Sequence, residues 1–198
     1  LAAAPPPLQT SLFCYEPEAL KEALQLKSLN SPSHVWQVAH GRGAAAFDLA
    51  IDELACGQTP ATIKPQFKKL PPLTQTQFDA LLRGSDLNFV RGEDSLVRAL
   101  WAGKAFIWHI YPQEDDYHLV KLEAFLKLYC DNLLPEIAQT WTNLNLAFNQ
   151  GLQSAVVNHW QNLNPVSLPL LQHAKQWPIN ALNAADLATR LVQFVKNS

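Results

Sequence analysis

Two residues that could bind an anion, Arg91 and Ser95, lie within one five-residue stretch of the chain. Arg91 is followed by Gly92, and Glu93, Asp94 and Ser95 come next. The stretch separates a short apolar segment from a segment with helical spacing, so we expect a turn that opens a helix, with Asp94 or Ser95 as its cap. Free N–H groups at a helix N-terminus bind anions, and an arginine adds a forked, charged donor that suits a diphosphate.

The two acids in this stretch admit two interpretations. Glu93 and Asp94 lower the local positive charge, so in a ligand site one of them would meet sugar hydroxyls or a developing positive charge. Alternatively, both merely cap the helix and Arg91 pairs with them, since charges near helix N-termini are common. Spacing alone leaves both interpretations open.

A second set of candidates combines aromatic rings with an amide. An aromatic face can stack on a pyrimidine, and a glutamine amide offers both a donor and an acceptor to its edge. Periodicity by itself would place the two phenylalanines of this set in the core. The set consists of Phe13, Tyr15, Gln75 and Phe78.

A third set follows the apolar segment that ends near Ile110. The polar loop beyond a strand's carboxyl end suits contacts with sugar hydroxyls. The candidates there are Tyr111, Gln113, Asp116 and His118. Trp108 and Ile110 are expected in the core, and His109, which alternates with them, is expected to be structural.

These residues must be positioned by alternating strands and helices. Apolar segments at 11–15, 35–39, 66–70, 87–90 and 105–110 predict strands. Helical spacing follows each of them and continues alone after residue 131, with helices expected at 17–29, 43–55, 76–83, 95–102, 119–129, 135–148, 151–163, 165–177 and 184–196. The order predicts an α/β fold, a Rossmann-like parallel sheet with helices on both faces and a helical C-terminal tail.

Composition restricts the class of protein. The 198 residues are 48% hydrophobic and 16% charged with a net charge of -2, which indicates a folded chain and argues against a nucleic-acid or membrane-surface binder. No apolar run approaches the roughly 20 residues that cross a bilayer. The three cysteines lack paired spacing and are expected to be free thiols in the cytoplasm.

The ends of the chain suggest a piece of a longer protein. There is no methionine, and the chain opens with a proline-rich stretch. We expect residues 1–10 to be the remnant of an interdomain linker and residues 11–180 to form a nucleotide-sugar-binding domain. Residues 181–198 would form a terminal helix that packs on an absent N-terminal domain.

Several motifs together resemble the bacterial protein-arginine rhamnosyltransferases that modify elongation factor P. The similarity is carried by residues 87–126, which contain Arg91-Gly92-Glu93-Asp94-Ser95, and by shorter motifs earlier in the chain. The matching motifs also include 11–16, 75–82, 101–104 and 108–113. The match reaches Tyr129 and covers only the C-terminal half of the family's protein.

The resemblance implies the donor-binding half of a glycosyltransferase with two Rossmann domains, the GT-B type. Such an enzyme would transfer rhamnose from dTDP-β-L-rhamnose to an arginine of elongation factor P with inversion. The family resemblance assigns Phe13, Tyr15, Gln75 and Phe78 to thymidine and donor binding, together with Arg91, Asp94 and Ser95. It gives Glu93 a supporting catalytic role, whereas the family's catalytic aspartates belong to the N-terminal domain.

This resemblance has three further consequences. No metal and no cofactor are expected, because Arg91 and the helix end could neutralise the leaving group. The isolated chain would bind dTDP-rhamnose without turnover. The partners would be elongation factor P and the N-terminal domain.

Two alternatives belong to other classes. A nucleotide-sugar epimerase on a similar scaffold would favour a uridine-linked donor. A non-catalytic protein-interaction module would depend on the helices after Asp131 and would bind no nucleotide.

Overall fold

The sheet is parallel throughout and has the strand order β3-β2-β1-β4-β5. A computed structural model describes residues 7–26, 34–56, 65–163, 167–183 and 185–196. The strands of the described chain are β1 (Leu8–Leu12), β2 (His34–Val38), β3 (Gln66–Lys69), β4 (Leu87–Arg91) and β5 (Ala105–His109). The predicted α/β class is confirmed.

Helices cover both faces of this sheet. Those within the described ranges are α1 (Leu20–Gln25), α2 (Arg42–Cys56), α3 (Gln75–Gly84), α4 (Gly92–Ala102), α5 (Tyr117–Tyr129), α6 (Pro135–Asn149), α7 (Gln153–Asn162), α8 (Leu168–Leu182) and α9 (Leu187–Lys196). Helices α1 and α2 connect β1 to β2 and β2 to β3, towards one edge of the sheet. Helices α3 and α4 precede β4 and β5, which extend towards the other edge, so right-handed crossovers place the two helix pairs on opposite faces. Helix α7 contacts α1 and α6, whereas α8 contacts α4 and β5.

The direction of the chain reverses between β1 and β4. These strands are neighbours in the centre of the sheet, with Leu12 aligned with Phe89. Ligands of open α/β sheets bind at such a reversal, beyond the carboxyl ends of the strands. The fold therefore predicts a ligand site formed by the segments that follow Leu12 and Arg91.

Strand β1 lies earlier in the chain than predicted. We expected 11–15, but the strand is Leu8–Leu12 and includes residues 8–10, which we had placed in the linker segment 1–10. The polar residues at the start of this strand hide it from a prediction based on apolar segments. They are tolerated inside the sheet because each of them has a partner on a neighbouring strand. Thr10 Oγ1 lies 2.8 Å from His34 Nε2, and the buried Ser11 hydroxyl donates to Asn88 Oδ1.

Several helix ends also differ from the prediction. Helix α1 begins at Leu20 rather than at 17, and the end predicted near 29 lies outside the described residues. Helix α8 continues through Pro178 to Leu182, beyond the predicted end at 177. Because proline has no N–H, the carbonyl of Ala174 loses its helical donor there, but the helix does not stop.

An aromatic cluster fills the core beneath the central strands. Phe89 of β4 lies between Trp36 of β2 and Phe148 of α6, with ring centroids 5.7 Å and 5.2 Å away. Trp160 of α7 stacks on the same ring at 6.4 Å. This packing fixes β4, and with it the position of Arg91 at its end.

The three cysteines are free, as predicted. Cys14 and Cys130 are buried, and burial raises the pKa of the Cys14 thiol to about 12. Among the described helices, none has the length and apolar character needed to cross a membrane.

Candidate functional site

The turn at the end of β4 leaves a helix N-terminus without a side-chain cap. Helix α4 begins at Gly92, whose φ of 59° lies in the left-handed region that favours glycine. Its cap residue is Arg91, with extended backbone and no side-chain hydrogen bond to the helix. The predicted caps Asp94 and Ser95 instead lie in the first turn of the helix, so that prediction is wrong. The first N–H groups of α4 therefore remain available to an anion.

Arg91 packs against aromatic rings and not against the neighbouring acids. Its Cζ lies 4.5 Å from the ring centroid of Phe13 and 5.1 Å from that of Tyr15. Within the described part of the chain it forms no ion pair, whereas Asp94 pairs with Arg98 at 3.4 Å. The interpretation in which Arg91 merely neutralises Glu93 and Asp94 is therefore not the arrangement found. Its charge is free to meet an anion beside the start of α4.

The predicted aromatic residues gather next to Arg91, and Gln75 lies at the start of the helix that carries Phe78. Phe13 contacts Phe78 of α3 edge to face, with ring centroids 5.0 Å apart. Gln75 is the first residue of α3 and is exposed. A half-buried aromatic pair thus lies beside the Arg91 side chain, and an exposed amide begins the helix that carries Phe78, an arrangement that suits a planar base attached to a diphosphate.

A capping box that the prediction missed determines where α3 begins. Thr74 Oγ1 accepts from the Gln77 N–H at 3.3 Å, and Gln77 Oε1 accepts from the Thr74 N–H at 2.9 Å. The sequence signal was present, since threonine followed three residues later by glutamine is a helix-start pattern. The box fixes Gln75 as the first residue of the helix that carries Phe78.

Arg98 joins the two helices that flank the turn. Its Nη1 donates to Asp79 Oδ1 of α3 at 2.8 Å, and its Nε donates to Asp94 Oδ2 of α4 at 3.4 Å. The hydrogen bond to Asp79 is the main reason that the pKa of Arg98 lies above its ordinary value. Sequence spacing indicated only the contact between Asp94 and Arg98 within one helix, because Asp79 belongs to another element.

Tyr15 lies at the centre of the site and touches both sides of it. Its ring lies 5.5 Å from that of Tyr111, edge to face, and Arg42 Cζ is 5.6 Å from its centroid. Arg42 itself donates to Glu16 Oε1 at 2.6 Å, and this contact lowers the pKa of Glu16. Arg42 is therefore occupied by an exposed ion pair.

Three of the four predicted sugar contacts line a separate cavity. Tyr111 lies against Tyr15, whereas Gln113, Asp116 and His118 line a cavity of about 460 Å³ beyond β5. The segment 114–118 was predicted as a loop, but Glu114–Asp116 forms a 3₁₀ turn and His118 is buried in the first turn of α5. His118 Nδ1 accepts from the Gln113 N–H at 3.1 Å, which holds the ring in place.

His109 lines the same cavity and is also held by a backbone group. Its Nδ1 accepts from the Tyr15 N–H at 3.2 Å, so the histidine links the end of β5 to the segment after β1. Burial lowers the pKa of His109 to about 4, opposed by the charge of Glu16 and assisted by that of His118. The prediction of a structural histidine is therefore incomplete, because the ring also borders a cavity.

Trp108 and Ile110 are buried, as predicted. The tryptophan has a second role, since its indole Nε1–H donates to the Gly92 carbonyl at 3.0 Å. Among the described residues, no group of three or more histidine, cysteine or acidic side chains could hold a metal ion.

Comparison with known proteins identifies the family. Residues 2–196 match the family model described as "Elongation-Factor P (EF-P) rhamnosyltransferase EarP". The chain is 57% identical over 195 residues to the protein-arginine rhamnosyltransferase of Shewanella oneidensis and 41% identical over 187 residues to that of Pseudomonas aeruginosa. These matches cover 95% and 93% of this chain and 49% of each relative, so the chain spans about half the length of the curated relatives it matches.

A solved structure has the same fold. It is described as "Structural basis for EarP-mediated arginine glycosylation of translation elongation factor EF-P" and superposes with a TM-score of 0.71 at 33% identity. The match covers 100% of this chain and 63% of that one. With a family model that matches almost all of its residues, the chain belongs to the EarP family, the elongation factor P rhamnosyltransferases.

Proposed function

We propose that this chain is the donor-binding half of a protein-arginine rhamnosyltransferase. It would hold dTDP-β-L-rhamnose for inverting transfer of rhamnose to an arginine of elongation factor P. The observation that carries the proposal is Arg91, a cation without a carboxylate partner in the described residues, beside the uncapped start of α4. Family membership supports the same assignment.

The diphosphate would lie between the Arg91 side chain and the first turn of α4. Arg91 would supply a charge-assisted, forked pair of hydrogen bonds, and the helix N–H groups would supply further donors. Ser95, which is buried in the first turn of α4, would order this end of the site. No metal is required by this arrangement, because the developing charge on the leaving group faces fixed donors.

The base would lie against the Phe13 and Phe78 pair. Its edge would reach the exposed Gln75 amide, which can donate and accept at once. Thymine differs from uracil by one methyl group, and the rings of Phe13 and Phe78 would give that methyl group an apolar neighbour. We therefore expect preference for a thymidine nucleotide over a uridine nucleotide.

Glu93 would support catalysis from the donor side. It is exposed on the first turn of α4 and forms no ion pair within the described ranges. The base that orients the acceptor arginine would belong to the other half of the enzyme. We therefore expect donor binding without turnover from this chain, and turnover in the cytoplasm when that half and elongation factor P are present.

Calorimetric titration with dTDP and with UDP tests the proposal. Wild-type protein should bind dTDP saturably and more tightly than UDP. Arg91→Ala should weaken dTDP binding by about tenfold or more, because charge-assisted hydrogen bonds are lost. Arg91→Lys, which keeps the charge without the fork, should lie between the two.

The matched control is Arg83→Ala, at an exposed arginine in the last turn of α3. It should leave the affinity for dTDP unchanged. Preference for UDP would favour the epimerase alternative. Absence of binding to folded protein would favour a protein-interaction module and overturn the proposal.

A further inference from the structure

Within the described part of the chain, strand β5 lies at one edge of the sheet, with β4 on its inner side. The backbone on its outer side needs other partners, because a buried N–H without a hydrogen bond destabilises a fold. Trp108 and Ile110, which are 4% and 2% exposed, direct their N–H groups outward from this edge. Bulk water therefore does not satisfy these two groups.

Two asparagines of α6 provide the partners. Asn145 Oδ1 accepts from the Trp108 N–H at 3.2 Å, and Asn149 Oδ1 accepts from the Ile110 N–H at 3.0 Å. Asn149 Nδ2 also donates to the Trp108 carbonyl at 2.8 Å. We call Asn145 and Asn149 the asparagine pair, which makes the hydrogen bonds that a further strand would otherwise make to β5.

The spacing of the asparagine pair matches the spacing of the strand. Residues four apart on a helix are separated by about 6 Å along its axis, and residues two apart on a strand are separated by about 6.6 Å. Two amides on consecutive turns of α6 can therefore meet two N–H groups on the same side of β5. The match explains how a helix can close the edge of a sheet here.

Each amide is also held by its own helix. Asn145 Nδ2 donates to the Trp141 carbonyl at 3.0 Å, and Asn145 is completely buried. Asn149 Nδ2 donates to the Asn145 carbonyl at 2.8 Å in addition to the Trp108 carbonyl, so both of its amide hydrogens are used inside the protein. The asparagine pair is therefore arranged to hold β5 rather than to bind a ligand.

The two strand residues that the asparagine pair holds lead directly to the proposed nucleotide site. The Trp108 indole donates to the carbonyl of Gly92, the first residue of α4. Ile110 is followed by Tyr111, whose ring lies 5.5 Å from that of Tyr15. A shift of this part of β5 would thus displace one contact with α4 and one contact with Tyr15 together.

We propose that Asn145 and Asn149 are positioning residues for the nucleotide site, which act through β5 on the first turn of α4 and on Tyr111. The inference rests on the proposed function for its effect on nucleotide affinity, whereas the attachment of β5 to α4 can be measured without a nucleotide. Removal of the Asn149 amide should change the nucleotide site although the amide makes its hydrogen bonds to α6 and β5.

Asn149→Leu tests the proposal, because leucine has a similar size and makes none of the three hydrogen bonds of this amide. Calorimetry measures the affinity for dTDP, and we expect the variant to bind about three- to tenfold more weakly than wild type. Asn149→Ala should weaken binding in the same direction, and it provides the test if the leucine variant does not fold. The side chain is only partly buried, so water can enter beside the alanine.

Two control variants separate positioning from general stability. Val156→Ala removes two methyl groups from a fully buried side chain of α7, which destabilises the core where α7 packs on α1 and α6. Asn143→Leu changes another asparagine of α6, whose amide oxygen accepts from Gln139 within the helix. Both controls should bind dTDP within about twofold of wild type.

A spectroscopic measurement reports on β5 without any nucleotide. The ¹⁵N and ¹H signals of the Trp108 indole are identified by their absence from Trp108→Phe. These signals should shift in Asn149→Leu, because the hydrogen bond to the Gly92 carbonyl changes when β5 moves. They should keep their wild-type positions in Val156→Ala and Asn143→Leu.

Each other outcome counts against the inference. Wild-type affinity for dTDP in Asn149→Leu, or an indole signal at its wild-type position, would show that β5 is held without the asparagine pair. An equal loss of affinity in Val156→Ala would show that stability alone is responsible. If wild-type protein binds no dTDP, the proposed function fails, and the indole signal still decides whether the asparagine pair attaches β5 to α4.

Discussion

The indole Nε1–H of Trp108 donates to the carbonyl oxygen of Gly92 at 3.0 Å. This bond ties the buried strand β5 to the first residue of α4, where we place the diphosphate. Trp108→Phe keeps an aromatic ring in the core and removes the bond. We expect a loss of about 1 kcal/mol in the free energy of unfolding and a several-fold weaker affinity for dTDP. Urea denaturation and calorimetry measure the two effects, and unchanged dTDP affinity would show that α4 is held without this bond.

Arg98 should control nucleotide affinity without touching the nucleotide. It links Asp79 of α3 to Asp94 of α4. Arg98→Ala therefore removes a connection between helix α3, which carries Gln75, and helix α4, which begins directly after Arg91. We expect the affinity for dTDP to fall several-fold, with little change in the free energy of unfolding because the ion pair is partly exposed. The comparison variant is Arg83→Ala, at an exposed arginine in the last turn of α3. An affinity as high as that of wild type would show that α3 and α4 are positioned independently.

A polar pair inside the sheet should matter for stability. The buried Ser11 hydroxyl donates to Asn88 Oδ1, and Asn88 Nδ2 donates to the Leu82 carbonyl at 3.1 Å. Ser11→Ala leaves a buried acceptor without its donor, which costs about 1 to 3 kcal/mol. Chemical denaturation measures the loss. A variant as stable as wild type would mean that Asn88 finds another donor.

Protonation of His109 should destabilise the fold in acid. Its pKa is about 4 in the folded chain, below the ordinary value of 6.5, so between these two pH values the unfolded chain binds a proton that the folded chain does not. The contribution of the neutral ring to the free energy of unfolding is fully present above pH 6.5 and declines as the pH falls toward 4. At pH 5 we expect wild type to have lost about 2 kcal/mol more than His109→Asn, relative to pH 7.

This comparison needs only denaturation curves at the two pH values. His173, whose pKa is also lowered by burial, is present in both proteins and cancels in the difference. Equal losses in the two proteins would indicate that His109 is protonated without cost.

Glu93 should affect transfer more than binding. Glu93→Gln keeps the size of the side chain and removes its charge, so dTDP affinity should stay within about twofold. Transfer of rhamnose to elongation factor P, measured with the other half of the enzyme supplied, should fall by about a hundredfold if the carboxylate supports catalysis. Transfer at the wild-type rate would remove Glu93 from the catalytic residues.

The sequence by itself determined the fold class and most of the residues around the turn. Alternation of apolar strands with helical segments depends on local periodicity, and the motif from Arg91 to Ser95 is contiguous, so both are visible along the chain. Strand β1 was misplaced because Gln9 and Thr10 are polar, and only their partners on neighbouring strands make them acceptable inside a sheet. The cap of α4 was misplaced because the left-handed Gly92 starts the helix earlier than the polar residues suggest.

Only the tertiary structure decided which of these residues act together. Arg91 faces Phe13 and Tyr15 rather than the acids beside it, because strand order places the ends of β1 and β4 next to each other. His109 and His118 border one cavity for the same reason, since α5 and the loop after α6 return to the carboxyl end of β5. Periodicity indicates whether a side chain is buried, but the hydrogen bond that fixes a histidine tautomer comes from a distant backbone group. That contact exists only once the chain has folded.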